Sequence, residues 1–163
     1  MSHVAQCKVV VKSLDTLEAA VKRLGGTLHR GQTKIRWWGQ FVDDSSTWKQ
    51  FFSAEEAARI AKLPQHERKR IINKEMGRAD HVITFPGTTW DLGVMQESDG
   101  TFRLRWDTYS GGGGLNKIIG SSGGLIGQAY AIEAAKKAAR RKGYMITEKK
   151  EANGSIKLQF AIQ

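Results

Sequence analysis

The stretch from Thr88 to Lys142 constrains this chain most, because hairpin, glycine loop and helix follow one another there with little freedom between them. Trp90-Asp91-Leu92-Gly93-Val94-Met95 reads as a strand, and Ser98-Asp99-Gly100 as a turn. The run from Thr101 to Tyr109 pairs back. On it Phe102, Leu104 and Trp106 point one way and Arg103, Arg105 and Asp107 the other, which predicts one core face and one polar face. A loop follows that holds Gly111-Gly112-Gly113-Gly114 and, further on, Gly120-Ser121-Ser122-Gly123-Gly124. A helix over 125–142 comes next and Gly143 ends it. Glu133, Lys136, Lys137, Arg140 and Arg141 recur at helical spacing and make one charged stripe. Ala131, Ile132, Ala135, Ala138 and Ala139 make a face of small apolar residues suited to close packing on a sheet.

The flanks supply sheet and cover for that unit. Residues 4–12 are rich in β-branched side chains and read as a strand. Asp15 can cap a helix over 16–24, on which Leu17, Ala20, Val21 and Leu24 share a face. A second strand is expected over 27–38. Asp43, Asp44, Ser45, Ser46 and Thr47 form a polar excursion between the aromatic anchors Phe41 and Trp48. Ser53 with Glu56 fits a capping box, and Pro64 divides the helical segment that follows into two. On the second, basic helix Arg70, Asn73, Lys74 and Gly77 share one face and Ile72 and Met76 another. After the strand His81-Val82-Ile83-Thr84-Phe85 and the main unit, a last hairpin is built around Asn153-Gly154, with Ile156, Leu158, Phe160 and Ile162 alternating along one arm.

This order predicts a single α+β domain over 1–163. Its sheet is mostly antiparallel with helices packed on one face, and a ferredoxin-like relative is among the arrangements that fit. A helical insertion at about 54–78 lies across the sheet. No apolar run approaches the roughly 20 residues that span a bilayer, and the start of the chain shows no signal peptide, so no membrane partner and a cytoplasmic location are expected. The single cysteine, Cys7, sits in an alternating apolar run and reads as a buried structural thiol.

A net charge of +10 directs attention to polyanionic partners, either nucleic acid or an acidic protein surface. The stripe Lys136, Lys137, Arg140 and Arg141, extended by Arg103 and Arg105, is the candidate nucleic-acid site, set against the plainer reading of a solvated helix face. Lys34, Arg36, Trp37 and Trp38 add charge and aromatic surface of the kind that stacks on bases. Lys117, Ser121, Ser122, Gly123 and Gly124 are the candidate phosphate site, because a helix N-terminus after flexible backbone can present N–H groups to an anion. Against that stands a closely packed turn or flexible connector, since no Gly-x-x-x-x-Gly-Lys-Ser/Thr or dinucleotide-binding pattern is present. Asp91 and Asp107 lie on facing strands but lack a third partner. His3, His29, His66 and His81 show no ligand spacing. No catalytic residue, metal or cofactor is therefore assigned.

Several segments together resemble one family: Met1-Ser2-His3, Trp90-Asp91-Leu92-Gly93-Val94, Asp99-Gly100-Thr101, Arg105-Trp106-Asp107, Gly111 to Gly114, Gln128-Ala129-Tyr130-Ala131-Ile132-Glu133-Ala134-Ala135, and Asn153-Gly154-Ser155-Ile156. The chain is similar there to the uncharacterised domain of unknown function 1257 family, which includes the hypothetical plastid reading frame 35 proteins of bacteria, plastids and phages. Residues 39–80 match it less clearly. The resemblance brings no catalytic residues. It implies a possible protein partner, since some members are found beside genes for AAA-type ATPases. Three functions are thus expected to compete: a non-enzymatic nucleic-acid-binding protein, an adaptor or inhibitor docking on a partner such as an AAA-type ATPase, and a nucleotide or phosphate binder built on the glycine loop.

Overall fold

A computed structural model describes residues 4–7, 9–39 and 46–162. The elements in order are β1 (Val4–Gln6), α1 (Leu14–Arg23), β2 (Thr27–Arg30), a short 3-10 turn (Ser46–Phe51), α2 (Ala54–Ala61), α3 (Gln65–Met76), β3 (His81–Thr84), β4 (Leu92–Gln96), β5 (Phe102–Asp107), α4 (Tyr109–Gly112), α5 (Leu115–Ile119), α6 (Gly124–Arg141), β6 (Tyr144–Lys150) and β7 (Ile156–Ile162). Five strands form an antiparallel sheet in the order β1-β5-β4-β3-β2. The expected α+β class with an antiparallel sheet is therefore observed. β2 to β5 are a meander, and β1 closes it on the far side of β5. The β-α-β-β-α-β pattern of a ferredoxin-like fold would carry the strand after α6 into this sheet. Here β6 and β7 pair only with each other.

The main core lies between one sheet face and the pair α1 and α6. Ile83, Leu92, Val94, Leu104 and Trp106 from the strands meet Leu17, Ala20 and Val21 from α1 and Ile126, Ala129 and Tyr130 from α6. Trp106 is fully buried, and its indole N–H donates to Asn116 Oδ1 at 3.3 Å, which satisfies the one polar atom that burial would orphan. The Tyr130 hydroxyl accepts from the backbone N–H groups of Lys12 at 2.8 Å and Ser13 at 3.2 Å, tying α6 to the entry of α1. Ser13, not Asp15, caps α1: its side chain accepts from Thr16 N–H. Asp15 falls in the first turn instead, where its charge favours the helix dipole and pairs with Arg30 at 2.7 Å.

Four expectations are corrected by the packing. The first strand stops at Gln6; four steps of chain from Cys7 to Val11 then span only two steps on β5, so the edge bulges before Val11 pairs with Phe102. β2 stops at Arg30 rather than continuing to Trp38. From Gly31 the chain crosses to the other sheet face, where Ile35 N–H donates to Gly77 O and Asp91 N–H donates to Arg36 O. The helical layer is also not confined to one face. The 33–38 segment and the end of α3 cover the second face, where Ile35, Ala79 and Val82 form their own cluster. Gly93 permits this, because a Cβ there would stand 3.4 Å from Ile35 Cγ2 and 3.3 Å from Arg105 O. Finally, the run read as one glycine loop over 110–124 is not loop throughout: it contains α5, whose Leu115 and Ile119 are fully buried.

The insertion is as expected in place. Ser53 and Glu56 form the capping box of α2, and Ile72 and Met76 of α3 are buried. With Trp48, Ala57 and Ile60 they build a satellite core, against which Trp37, Phe51, Phe52 and Ile71 pack. Phe41, Asp43 and Asp44 lie outside the described residues, as does His3. No described helix is long and apolar enough to cross a membrane.

Candidate nucleic-acid interface

Of the six basic residues read from the sequence as a nucleic-acid site, two stand clear of ion pairs with the described residues. Arg140 and Arg141 are exposed in the last turn of α6, where cations also complement the helix dipole. Lys136 is drawn into a cluster on the body of the protein. Its ammonium lies 2.6 Å from Glu148 on β6 and 3.4 Å from Glu133, and Arg23 of α1 reaches the same two carboxylates. These cations hold the Glu148 carboxyl at about 2, well below its ordinary 4.5. Lys137 faces Asp15 at 4.0 Å, and Arg103 pairs with Glu97 at 3.0 Å.

Arg105 is not on a surface at all. It is 3% exposed and points into the second face of the sheet under α3. Its Nη2 donates to the carbonyls of Glu75 at 2.7 Å and Arg78 at 2.8 Å, and its guanidinium lies over the Phe51 ring, 5.4 Å from the centroid. Desolvation lowers its pKa, while the Glu75 carboxylate, 3.5 Å away, opposes that shift. The alternation that separated Arg105 from Trp106 is right. The face it was assigned to is covered by the insertion and is therefore a buried polar layer. Asp91 and Asp107 belong to the same layer, at 1% and 2% exposure. Asp91 accepts from Arg36 through its backbone N–H, Nε and Nη2, and Asp107 accepts from the N–H groups of Trp38 and Tyr109. Both carboxylates fasten the crossing segment.

The phosphate candidate is a set of packed turns. Ser110 and Gly111 to Gly114 all have positive φ, so the chain makes a left-handed turn here. Gly113 lies against the Trp90 ring, and its carbonyl accepts from Thr89 N–H at 2.8 Å. Gly123 is buried on Cys7 and Trp106 and uses its N–H to close a turn onto Gly120 O. Lys117, Ser121, Ser122 and Gly124 are exposed around it. His29 and His81 are engaged in the β2 region: His29 Nε2 meets Thr84 Oγ1, and His81 Nδ1 accepts from Gly31 N–H. Among the described residues no three His, Cys, Asp or Glu side chains gather as metal ligands would.

A different surface combines aromatic and basic groups. A groove of about 680 Å³ runs between the crossing segment and α3, lined by Lys34, Trp37, Phe52, Ile71, Lys74 and Arg78, among others. Trp37 is half-buried there, wedged where a Cβ on Gly77 would come within 3.0 Å of its Nε1. Lys34, Lys74 and Arg78 are exposed at the rim. Among the described lining residues the one carboxylate, Glu75, faces Arg105 and Arg78 and is compensated by them. Arg70 lies further along the exposed side of α3. The sequence carried the parts of this site, Lys34 with Trp37 and Lys74 with Gly77, but as separate features. Phe52 and Arg78 had no signal of their own, because only the crossing of chain and helix brings them together. No protein-family model, curated protein or solved structure matches the chain.

Proposed function

We propose that this is a binding protein for single-stranded nucleic acid, and that the groove between residues 33–37 and α3 takes the strand. The observation that carries this reading is the pairing of the half-buried Trp37 and Phe52 with the exposed cations Lys34, Lys74 and Arg78 in one concavity. Single-stranded sites need that combination, because bases stack on aromatic faces while cations follow the phosphates. The excess of ten positive charges supports the same partner. Arg140 and Arg141 would supply a second, purely electrostatic contact.

Fluorescence anisotropy with labelled single- and double-stranded DNA and RNA, at low and physiological salt, tests the proposal. Single strands should bind more tightly than duplex, with affinity falling steeply as salt rises. Lys34→Glu with Lys74→Glu should lower the slope of log K against log salt by about 2. Arg140→Glu with Arg141→Glu should change affinity less. Absence of binding at physiological salt, or indifference to the Lys34 and Lys74 reversals, would overturn the reading.

A further inference from the structure

The terminal hairpin leaves a strand edge open. β6 and β7 form a two-stranded sheet, and α6 packs against β6, so β7 is its outer strand. Two strands alone are marginal in water. Natural edges are usually blunted by proline, bulges or several charges. β7 is seven residues long, Ile156-Lys157-Leu158-Gln159-Phe160-Ala161-Ile162, with one lysine and no proline. Its apolar face is incompletely covered: Phe160 is 50% exposed and Ile162 84%, beside Tyr144 at 37%.

The hydrogen-bond phase of this edge is set by the turn. Glu151 N–H donates to Ser155 O, so Lys157, Gln159 and Ala161 turn their backbone groups to β6. The N–H and C=O groups of Ile156, Leu158, Phe160 and Ile162 then point outward, unpaired by any described strand. These residues also form the apolar face of the strand.

We infer that a second copy of this chain occupies the edge, with β7 pairing antiparallel to its twin about a twofold axis at Gln159. That register is the one the residues favour. It sets Ile156 against Ile162 of the partner subunit and Leu158 against the partner's Phe160, each through outward backbone groups. On the other face Gln159 meets its own equivalent, and Lys157 meets the partner's Ala161. No charge faces a like charge across the axis, although each copy carries a large positive excess. A C2 contact needs a self-complementary patch, and this strand reads apolar to apolar in both directions. The result is a four-stranded sheet whose two central strands set Ile156, Leu158, Phe160 and Ile162 beside their counterparts, which reduces the exposure of Phe160 and Ile162.

Light scattering and sedimentation of the full chain, from about 1 to about 100 μM, should show a monomer–dimer equilibrium. Ala161 sits on the exposed face across from Met145, which is itself 58% exposed, so a long side chain fits the monomer. Ala161→Lys places lysine opposite Lys157 twice and should weaken the dimer by about tenfold or more. Ala161→Lys combined with Lys157→Glu turns both contacts attractive and should restore it. Circular dichroism of each variant should match the parent. A parent chain that stays monomeric throughout, a dimer indifferent to Ala161→Lys, or a failure of the double variant to restore association would each overturn the inference. In the first case the edge is left for an unrelated partner protein.

Discussion

Arg36 grips the Asp91 carboxylate three times, through its backbone N–H at 2.8 Å, Nε at 2.9 Å and Nη2 at 2.6 Å. The two ends of this contact differ: the Asp91 side chain is 1% exposed, whereas that of Arg36 is 59% exposed. Removing the Arg36 side chain therefore leaves an interior carboxylate with the Arg36 backbone N–H alone of its three donors, while removing Asp91 leaves a guanidinium that water can reach. Arg36→Ala should destabilise by about 2 kcal/mol, less than for a fully buried pair because the Arg36 side chain is exposed and its backbone N–H still donates to Asp91. The double variant Arg36→Ala with Asp91→Asn should cost less than the two single changes together. Urea denaturation of the four proteins gives the coupling directly; strict additivity would show that the carboxylate does not fasten the crossing segment through Arg36.

The left-handed turn should respond differently at neighbouring positions. Gly113→Ala puts a Cβ 2.9 Å from Trp90 Cδ2 and 3.0 Å from Trp90 N, at φ +59, so it meets both backbone strain and a clash. Gly111→Ala has open space at φ +71 and meets the strain alone, about 1 kcal/mol. Ser110 already bears that strain at φ 48. Ser110→Gly should relieve it and stabilise by several tenths of a kcal/mol, offset in part by unfolded-chain entropy. Melting temperatures should thus rank Ser110→Gly at or above the parent, then Gly111→Ala, then Gly113→Ala.

Acid should find the α1–α6–β6 cluster. Arg23 and Lys136 hold the Glu148 carboxyl at about 2 against an ordinary 4.5. A carboxyl depressed by folding stabilises above its unfolded value and loses that contribution as pH falls through the folded one. The stabilisation is therefore full at pH 7 and fades between about 4.5 and about 2. Because the Glu148 side chain is a quarter exposed, screening limits the effect to about 1 kcal/mol. Glu148→Gln should be less stable than the parent at pH 7 by that amount, with the difference closing towards pH 2. A constant difference across this range would show that Glu148 acts by packing rather than by charge.

The parts of this fold that were legible in the sequence are those fixed by near neighbours. Ser53 and Glu56 announce a cap because both partners lie within one turn. The β4–β5 and β6–β7 hairpins follow from short turns and strict alternation. What was not legible depends on the crossing of the second sheet face. The aromatic and β-branched run after Arg30 has strand composition, yet the bonds to Gly77 and Asp91 divert it. Once that segment and α3 cover the sheet, a residue such as Arg105 changes from surface cation to interior clamp without any change in its own pattern. The groove at Trp37 is produced by the same crossing, which is why its components were visible and their meeting was not.

Arg105 makes the last case quantitative. Its Nη2 serves two carbonyls at the end of α3, those of Glu75 and Arg78, at the point where the helix turns back into β3. Carbonyls at a helix end need partners, and here the sheet supplies one. Nε has no partner among the described groups, so the site is not fully satisfied and the buried charge contributes less than its contacts suggest. Arg105→Met keeps much of the volume against Phe51 and removes both donors. It should cost about 2–3 kcal/mol. The loss should appear first as faster hydrogen exchange in α2 and α3, while α1 and α6 keep their protection. On the proposed function, nucleic-acid affinity should also drop, because α3 forms one wall of the groove, and this loss should leave the salt dependence nearly unchanged. Lys34→Glu with Lys74→Glu should do the reverse, reducing the salt dependence with little change in exchange. An Arg105→Met protein with unaltered exchange in α3 would separate the clamp from the insertion it is placed to hold.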